Sequence, residues 1–463
     1  GMGDALYDQV VQGESVPCRI YAPVGVHADL LAYLVRRLLE NGANSSFVNN
    51  IVDENIPVES LLEDPVELAS RWTNPSNPQI ASPPALYGIE RPNAAGLDLS
   101  DCTELERART AMHTTLSALP MNFASREPQL EIRNPANQAE IVGTVSLDDG
   151  DSMAAALERA SGALPTWQAT DVKERARLLY ALADALETHR DELITLCCKE
   201  AGKTIPDSVA EIREAVDFCR YYALQAVEQK FEEHGLRPRG VILCISPWNF
   251  PLAIFLGQIA AALAAGNTVI AKPAEQTSLI ALRTLNIMQD CGFPANVVVP
   301  VVARGPEVGQ HLVPDTRVKA VMFTGSTETG AVIAKTLAKR TDAPVPLIAE
   351  TGGQNCMLVD STALPEQVVD DVITSGFQSA GQRCSALRVL FLQEDIADKV
   401  IDMIVGAMQE LTVGDPSLLR TDIGPVIDAQ ALARLEAHAQ FMSNSGRLLY
   451  QCDAPVSYTH LRA

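Results

Sequence analysis

The chain predicts an α/β fold built on a doubly wound parallel sheet, and three observations carry that prediction. From Gly240 onward short apolar runs alternate with helical patterns, the order that builds parallel strands joined by crossover helices. The strand-like runs are apolar at consecutive positions, as strands covered on both faces should be. Ahead of them lies a long helical block, Asp151 to Phe231.

Taken in order, the first sixty residues read as a unit of their own. RIYAPVG (19–25) resembles a strand, and HADLLAYLVRRLLENGA (27–43) an amphipathic helix with Gly42 near its end. Asn74 to Ser100, rich in Pro, Asn and Gly, reads as a linker. Within the helical block Gly202 is placed to stop a helix. Then come the strand GVILCIS (240–246), a helix from Phe250, the strand NTVIAKP (267–273) and a helix from Ser278 to Cys291. NVVVPVVA (296–303), KAVMFTG (319–325), a helix from Thr327 to Arg340 and the strand PLIAE (346–350) complete the series. There is no internal repeat.

At 463 residues the chain has room for two or three domains, and 47% hydrophobic with 20% charged residues is globular composition. A net charge of −22 argues against nucleic acid or an anionic membrane as partner, since either needs a basic surface. Ten cysteines form no CxxC pair and no regular framework, which fits a reducing cytoplasm. The seven histidines show no ligand spacing, so no metal is expected, and the start carries no signal peptide. Phe250 to Gly266 is apolar, but it is near the ~17-residue minimum for a span. It also contains Gln258 and runs into a strand, so a buried helix is expected.

Two segments hold the chemistry. Cys384 lies in FQSAGQRCSALR (Phe377 to Arg388), thirty-four residues after Glu350 in LIAETGGQN. A thiol and a carboxylate supply a nucleophile and a base, and the nucleophile needs help from its surroundings because a free thiol is mostly protonated at neutral pH. The other nine cysteines read as inert small hydrophobes. Glu350 admits a second reading, as a helix cap or salt-bridge partner. In FTGSTETG (Phe323 to Gly330) a glycine turn between strand and helix is the plain reading. The functional one has Gly325 and Ser326 presenting donors to a pyrophosphate at a helix N-terminus. Lys272 and Glu275 read from the residues alone as a solvated ion pair, and Asn249 as a cap for the helix that follows.

SPWNFP (Ser246 to Pro251), KPAEQT (Lys272 to Thr277), FTGSTETG and the Glu350 and Cys384 segments, in this order and spacing, resemble the aldehyde dehydrogenase superfamily. The resemblance runs from roughly Glu131 to Arg447 and includes a GxxxxG rather than a GxGxxG turn. It implies a Rossmann-like NAD domain and an α/β catalytic domain. It further implies that Cys384 attacks an aldehyde carbonyl and that the Asn249 amide and the Cys384 backbone N–H hold the oxyanion. Hydride then passes to the nicotinamide, and Glu350 activates the water that hydrolyses the thioester. Lys272 and Glu275 would contact the adenosine ribose, favouring NAD over NADP, with Pro247, Trp248, Gly325 and Ser326 completing the cofactor site.

Arg19 to Asn49 resembles the end of the proline dehydrogenase (β/α) barrel in the bifunctional proline utilization A family, where it precedes an aldehyde dehydrogenase domain. The resemblance implies that Arg36 and Arg37 bind a proline carboxylate and that Tyr21 packs on that substrate, with Glu40 in support. An exposed helix with an Arg36/Glu40 pair is the alternative. Ser385 is a candidate contact for the α-carboxylate of the aldehyde, or a loop serine bonding its own backbone. The expected division is 1–60 barrel remnant, 61–130 linker and helical segment, 131–349 NAD-binding domain and 350–463 truncated catalytic domain. The implied activity is NAD-dependent oxidation of L-glutamate γ-semialdehyde to L-glutamate in proline catabolism, on small-molecule substrates. FAD and proline oxidation belong to the full-length, homo-oligomeric parent only. The alternatives are another aldehyde, or a catalytically dead nucleotide-binding fragment. Both ends are expected to be cut, and the final VSYTHLRA to carry no function.

Overall fold

The structure is a computed structural model. It describes residues 80–229 and 233–453 without a break, residues 55–73, and positions 11, 24–26, 30, 31, 33–36, 39 and 50. The chain divides into two units, Gly1–Ala81 and Ser82–Ala463. In the first, residues 30, 31, 33–36 and 39 are helical. Two short helices follow, Val58–Leu61 and Pro65–Ser70, the second capped by Asp64, whose carboxylate accepts the Val66 N–H. Residues 24–26, at the end of the expected strand, are not extended in a sheet, and the rest of that strand lies outside the described residues.

The second unit is organised by a five-stranded sheet with all strands parallel, in the order β6-β5-β4-β7-β8. Its members are β4 (Val241–Ile245), β5 (Thr268–Lys272), β6 (Val298–Pro300), β7 (Val318–Gly325) and β8 (Leu347–Thr351). β4 and β5 are buried at every position, because helices cover both faces. Ile242 and Cys244 of β4 enter the core formed with α3 (Val172–Thr188), α4 (Arg190–Ala201), α5 (Ile205–Glu228), α6 (Ala253–Ala264) and α7 (Ser278–Asp290). Val241, Leu243 and Ile245 point the other way, into a core shared with α2 (Gly150–Gln168), α8 (Gly305–His311) and α9 (Thr327–Ala338). Beyond this sheet, β9 (Asn355–Val359) and β10 (Leu387–Leu392) form a parallel pair packed on α10 (Pro365–Phe377) and α11 (Glu394–Glu410), followed by α12 (Ala429–Ser445).

Several expectations are corrected in detail. The helix expected from Phe250 begins at Ala253, beyond Pro251, which lacks an N–H to donate. Ten of its twelve residues are buried, and among the described residues no helix is long and apolar enough to cross a membrane. The Gln258 amide nitrogen donates there to the Ile245 carbonyl (3.3 Å) and the Thr324 hydroxyl (3.1 Å), while its amide oxygen has no partner. The strand expected over 296–303 shortens to three residues at the sheet edge, ending on Pro300. Residues 80–100, read as part of a linker, are irregular yet tied down. Arg91 pairs with Asp217 through two bonds (3.2 and 2.6 Å), and Tyr180 donates to the Glu90 carbonyl (2.8 Å). The helix α1 (Cys102–Ser117) falls within the expected linker and helical segment, whereas the small sheet of β1 (Met121–Phe123), β2 (Gln129–Asn134) and β3 (Asn137–Ser146) was not anticipated.

Gly202 does stop α4, at φ 68° in the left-handed region, where its N–H faces the helix end and a side chain would be strained. Two helices start inside the protein without a capping side chain of their own. Glu211 accepts the N–H groups of Leu252 and Ala253 (3.0 and 2.8 Å) at the start of α6. Glu200 accepts those of Leu279 and Ile280 (2.6 and 2.9 Å) at the start of α7. Both carboxylates come from other helices and are 1% exposed. Each fills donors that a buried helix terminus would otherwise leave unpaired.

Burial pushes the Glu200 carboxyl up from 4.5 to about 8, against the opposing pull of the Ile280 and Leu279 amides. The folded state therefore holds this proton more tightly than the unfolded chain. Its contribution to stability is complete below the unfolded value and is lost as pH rises through about 8. Glu200→Gln cannot ionise but keeps only one of the two acceptor oxygens, so its stability minus that of the native protein should rise between pH ~5 and pH ~8.5 in urea unfolding. A difference that does not grow with pH would contradict this.

Candidate active site

The residues singled out from the sequence gather at the carboxyl ends of adjacent strands, the edge where open parallel sheets bind ligands. β4 leads into Pro247, Trp248 and Asn249, all half-buried. β5 ends on Lys272, followed by Glu275, and β7 ends on Gly325, followed by Ser326. β8 carries Glu350, which pairs in register with Thr324 of β7 and is exposed. It is neither a helix cap nor, among the described residues, a salt-bridge partner.

The thiol segment follows α10. Ser379, Ala380 and Gly381 are successive left-handed residues at φ 54°, 54° and 65°. For Ser379 and Ala380 this conformation costs roughly 1–2 kcal/mol each, so surrounding contacts must hold it. The contacts are on hand. Gln382 donates its side-chain amide to the carbonyls of Ser379 and Pro425 (both 3.1 Å), and its amide oxygen accepts the Ile427 N–H (3.0 Å). Arg388 donates to the Gly381 carbonyl (2.7 Å). Cys384 and Ser385 then sit exposed in a turn before β10.

Asn249 and Asn355 tie this turn to the sheet. The Asn249 amide donates to the Gln382 carbonyl (2.7 Å), two residues before Cys384. It does not cap α6, whose N-cap position is Leu252. An amide carries two N–H groups, and this bond uses one of them. The Asn355 amide, five residues after Glu350, donates to the carbonyls of Cys384 (2.7 Å) and Ala386 (3.0 Å). Sequence reading missed Gln382 and Asn355, although both lie inside the quoted segments. Their signal was an amide side chain next to a glycine turn, where backbone carbonyls are open to outside donors.

The nucleotide residues fit a dinucleotide in part through their backbone. Gly325 cannot carry a side chain, since a Cβ there would meet the Phe323 ring at 2.6 Å. Ser326 caps α9, its hydroxyl accepting the Thr329 N–H (3.2 Å), and residues 326–329 are exposed. Lys272 is buried rather than solvated, and its ammonium donates to Glu275 (2.8 Å), which is one-third exposed. A carboxylate so placed can accept bonds from a ribose diol. In the first unit Arg36 is exposed on the helical stretch, while Arg37 and Tyr21 lie outside the described residues.

The other cysteines divide. Cys197, Cys198, Cys219 and Cys244 are buried, and burial raises all four thiols, Cys198 to about 12. Cys102 and Cys356, read as buried, are exposed like Cys384. Among the described residues no cluster of His, Cys, Asp and Glu could hold a metal ion.

The model of the aldehyde dehydrogenase family matches residues 123–457. The chain belongs to the aldehyde dehydrogenase family. A proline dehydrogenase model matches residues 1–50 of the same chain. This aldehyde dehydrogenase is 50% identical over 471 residues to the bifunctional protein PutA of Escherichia coli, covering 97% of this chain and 36% of that protein. It is 49% identical over 475 residues to PutA of Salmonella typhimurium, with the same coverage. The 1-pyrroline-5-carboxylate dehydrogenase of Bacillus cereus is 35% identical over 330 residues, 68% of this chain and 64% of that one. Among solved structures, proline utilization A from Bdellovibrio bacteriovorus superposes with a TM-score of 0.87 at 30% identity, over 98% of this chain and 48% of that one. The Thermus 1-pyrroline-5-carboxylate dehydrogenase with bound NAD gives 0.77 at 28% identity, over 80% and 76%. The chain thus spans about a third of the length of the PutA relatives it matches.

Gln382→Ala removes three hydrogen bonds, one within the thiol turn and two that join it to residues 425–427. At about 1 kcal/mol each it should cost roughly 2–3 kcal/mol in urea unfolding. A loss near zero would mean that water replaces the amide.

Proposed function

We propose that this aldehyde dehydrogenase oxidises L-glutamate γ-semialdehyde, the hydrolysis product of 1-pyrroline-5-carboxylate, to L-glutamate with NAD. The observation that carries the reading is the 2.7 Å bond from the Asn249 amide to the Gln382 carbonyl. It sets an oxyanion donor beside Cys384, next to a sheet edge whose features suit a dinucleotide. The substrate is supported by the names of the relatives, PutA and 1-pyrroline-5-carboxylate dehydrogenase.

Cys384 attacks the aldehyde carbon, and the oxygen of the adduct takes the free Asn249 N–H and the Cys384 backbone N–H. Bound NAD would supply the hydride acceptor that leaves a thioester on Cys384. Lys272 and Glu275 would hold the adenosine ribose, and Gly325 and Ser326 the pyrophosphate, beside Pro247 and Trp248. Glu350 draws a proton from the water that releases the acid, and Ser385 receives the substrate's α-carboxylate.

The same reading assigns residues 1–60 to the end of a proline dehydrogenase barrel, 61–130 to a linking segment, 131–349 to the NAD domain and 350–463 to the catalytic domain. Arg36, Arg37 and Tyr21 then belong to a proline site that is complete, with FAD, only in a longer, homo-oligomeric parent. The nine free thiols among the described residues support a cytoplasmic setting. The net charge of −22 gives nucleic acid no basic surface in this segment.

A second reading, nucleotide binding without turnover, is favoured by one observation. Ile348 beside Glu350 on β8, Leu358 on β9 and Phe391 on β10 are 54%, 78% and 55% exposed, so little surrounds the base.

NADH formation with 1-pyrroline-5-carboxylate, run beside succinate semialdehyde, tests the assignment. Cys384→Ala should abolish it, and Glu350→Gln should stop steady-state turnover while sparing a first turnover. Asn249→Ala should lower kcat by about 10²-fold, one oxyanion donor being worth about 3 kcal/mol. Thermal stabilisation by NAD with no NADH from any aldehyde would favour the second reading.

A further inference from the structure

Three charged side chains near the start of α5 have no part in the chemistry above, yet they are buried beside it. Lys203, Asp207 and Glu211 are 5%, 6% and 1% exposed. Asp207 and Glu211 are four residues apart on one face of α5, and Lys203 lies two residues before the helix begins. Lys203 donates to the Asn249 backbone carbonyl (3.0 Å), lies 3.2 Å from Glu211 and sits over the Phe250 ring at 4.6 Å. Asp207 turns the other way. One of its carboxylate oxygens accepts both the N–H (3.1 Å) and the hydroxyl (2.8 Å) of Ser379.

We propose that Asp207 is a positioning residue for Cys384, acting through the left-handed turn Ser379–Gly381; the proposal rests on the reading of Cys384 as the nucleophile. Ser379 and Ala380 hold a conformation that residues with a Cβ rarely adopt, and such a conformation persists only where outside contacts fix it. Asp207 makes the two contacts from another helix that grip the first residue of the turn. The other bonds on Ser379 and Gly381 come from Gln382 and Arg388 of the same segment, and Gln382 is itself held by Asn249, Pro425 and Ile427. Lys203 holds the Asn249 backbone from the same stretch of chain. The oxyanion donor and the thiol turn are thus referred to a common rigid element, although 133 residues separate Asn249 from Gln382.

The carboxylate is matched to its place. Burial alone would lower the Lys203 ammonium, but Glu211 and then Asp207 beside it outweigh this and hold it charged. An apolar residue at 207 would leave the Ser379 N–H without its acceptor and let the turn relax toward right-handed backbone. Cys384, five residues on, would move with it.

The test uses the full chain with Asp207→Ala, Asp207→Ala/Ser379→Gly and Ser379→Ala. Glycine adopts the left-handed conformation without a clamp, so it should rescue the loss of Asp207. Asp207→Ala is expected to lower kcat by about 10–100-fold, the scale of an ångström-sized misplacement, with KM for NAD unchanged. The added Ser379→Gly should recover at least half of that loss on a logarithmic scale. Hydrogen exchange of residues 378–386 is followed in parallel and needs neither aldehyde nor NAD. It should quicken in Asp207→Ala and slow again in the double variant. If Asp207→Ala does not fold, Ser379→Ala, which loses only the hydroxyl bond, should show a smaller change in the same direction. Unchanged kcat and exchange, or losses that glycine does not rescue, overturn the proposal. Absence of NADH formation by the unaltered chain defeats the functional reading alone, and the exchange measurement still decides the role of Asp207.

Discussion

A helix that begins inside a protein must find acceptors for its first N–H groups, and in this chain that requirement organises the site. α6 and α7 start in the core without capping side chains of their own, and Glu211 and Glu200 reach in from neighbouring helices to fill the need. The start of α6 matters most. It lies four residues beyond Asn249, so the carboxylate that fixes the helix also fixes the segment carrying the amide donor. Removing such an acceptor leaves buried donors unpaired, at a cost of about 1–3 kcal/mol each.

From that anchor the site extends through backbone rather than through side-chain pairs. The Asn249 and Asn355 amides both end on carbonyls of the thiol segment, and Gln382 spans to residues 425–427. Amides suit the work because each can donate and accept without adding charge near the reacting atoms. Lys203, Asp207 and Glu211 stand one layer behind, buried and paired.

Much of the fold was legible because β4 and β5 are apolar on both faces and their crossover helices are long and periodic. The limits of reading were equally physical. Pro251 moved a helix start by three residues, and Pro300 ended a strand early, effects local sequence signals but does not size. Residues 80–100 have linker composition, yet Arg91 binds Asp217, 126 residues away, and no local pattern carries that information. The same holds for Asp207 and Ser379, 172 residues apart. On a helix an aspartate one turn beyond a lysine looks like a solvated pair, and only the fold reveals that both are buried. Asn249, Lys272, Gly325 and Glu350 were readable because they stand at or just beyond strand ends, whereas Cys384 lies in a turn that leads into β10. Cys356 was read with the other cysteines as an inert small hydrophobe, and on β9 it is exposed.

β8 is the last strand of its sheet, and its outer edge has no neighbour among the described strands. Its sequence, LIAET, contains neither lysine nor proline, the residues that commonly blunt such an edge. Another extended segment could therefore continue the ladder there, whether from a longer chain or from a second molecule at high concentration. The strand that would receive it carries Glu350. A segment pairing there would lie alongside Glu350, so the open edge of β8 is also what leaves the proposed base within reach of water.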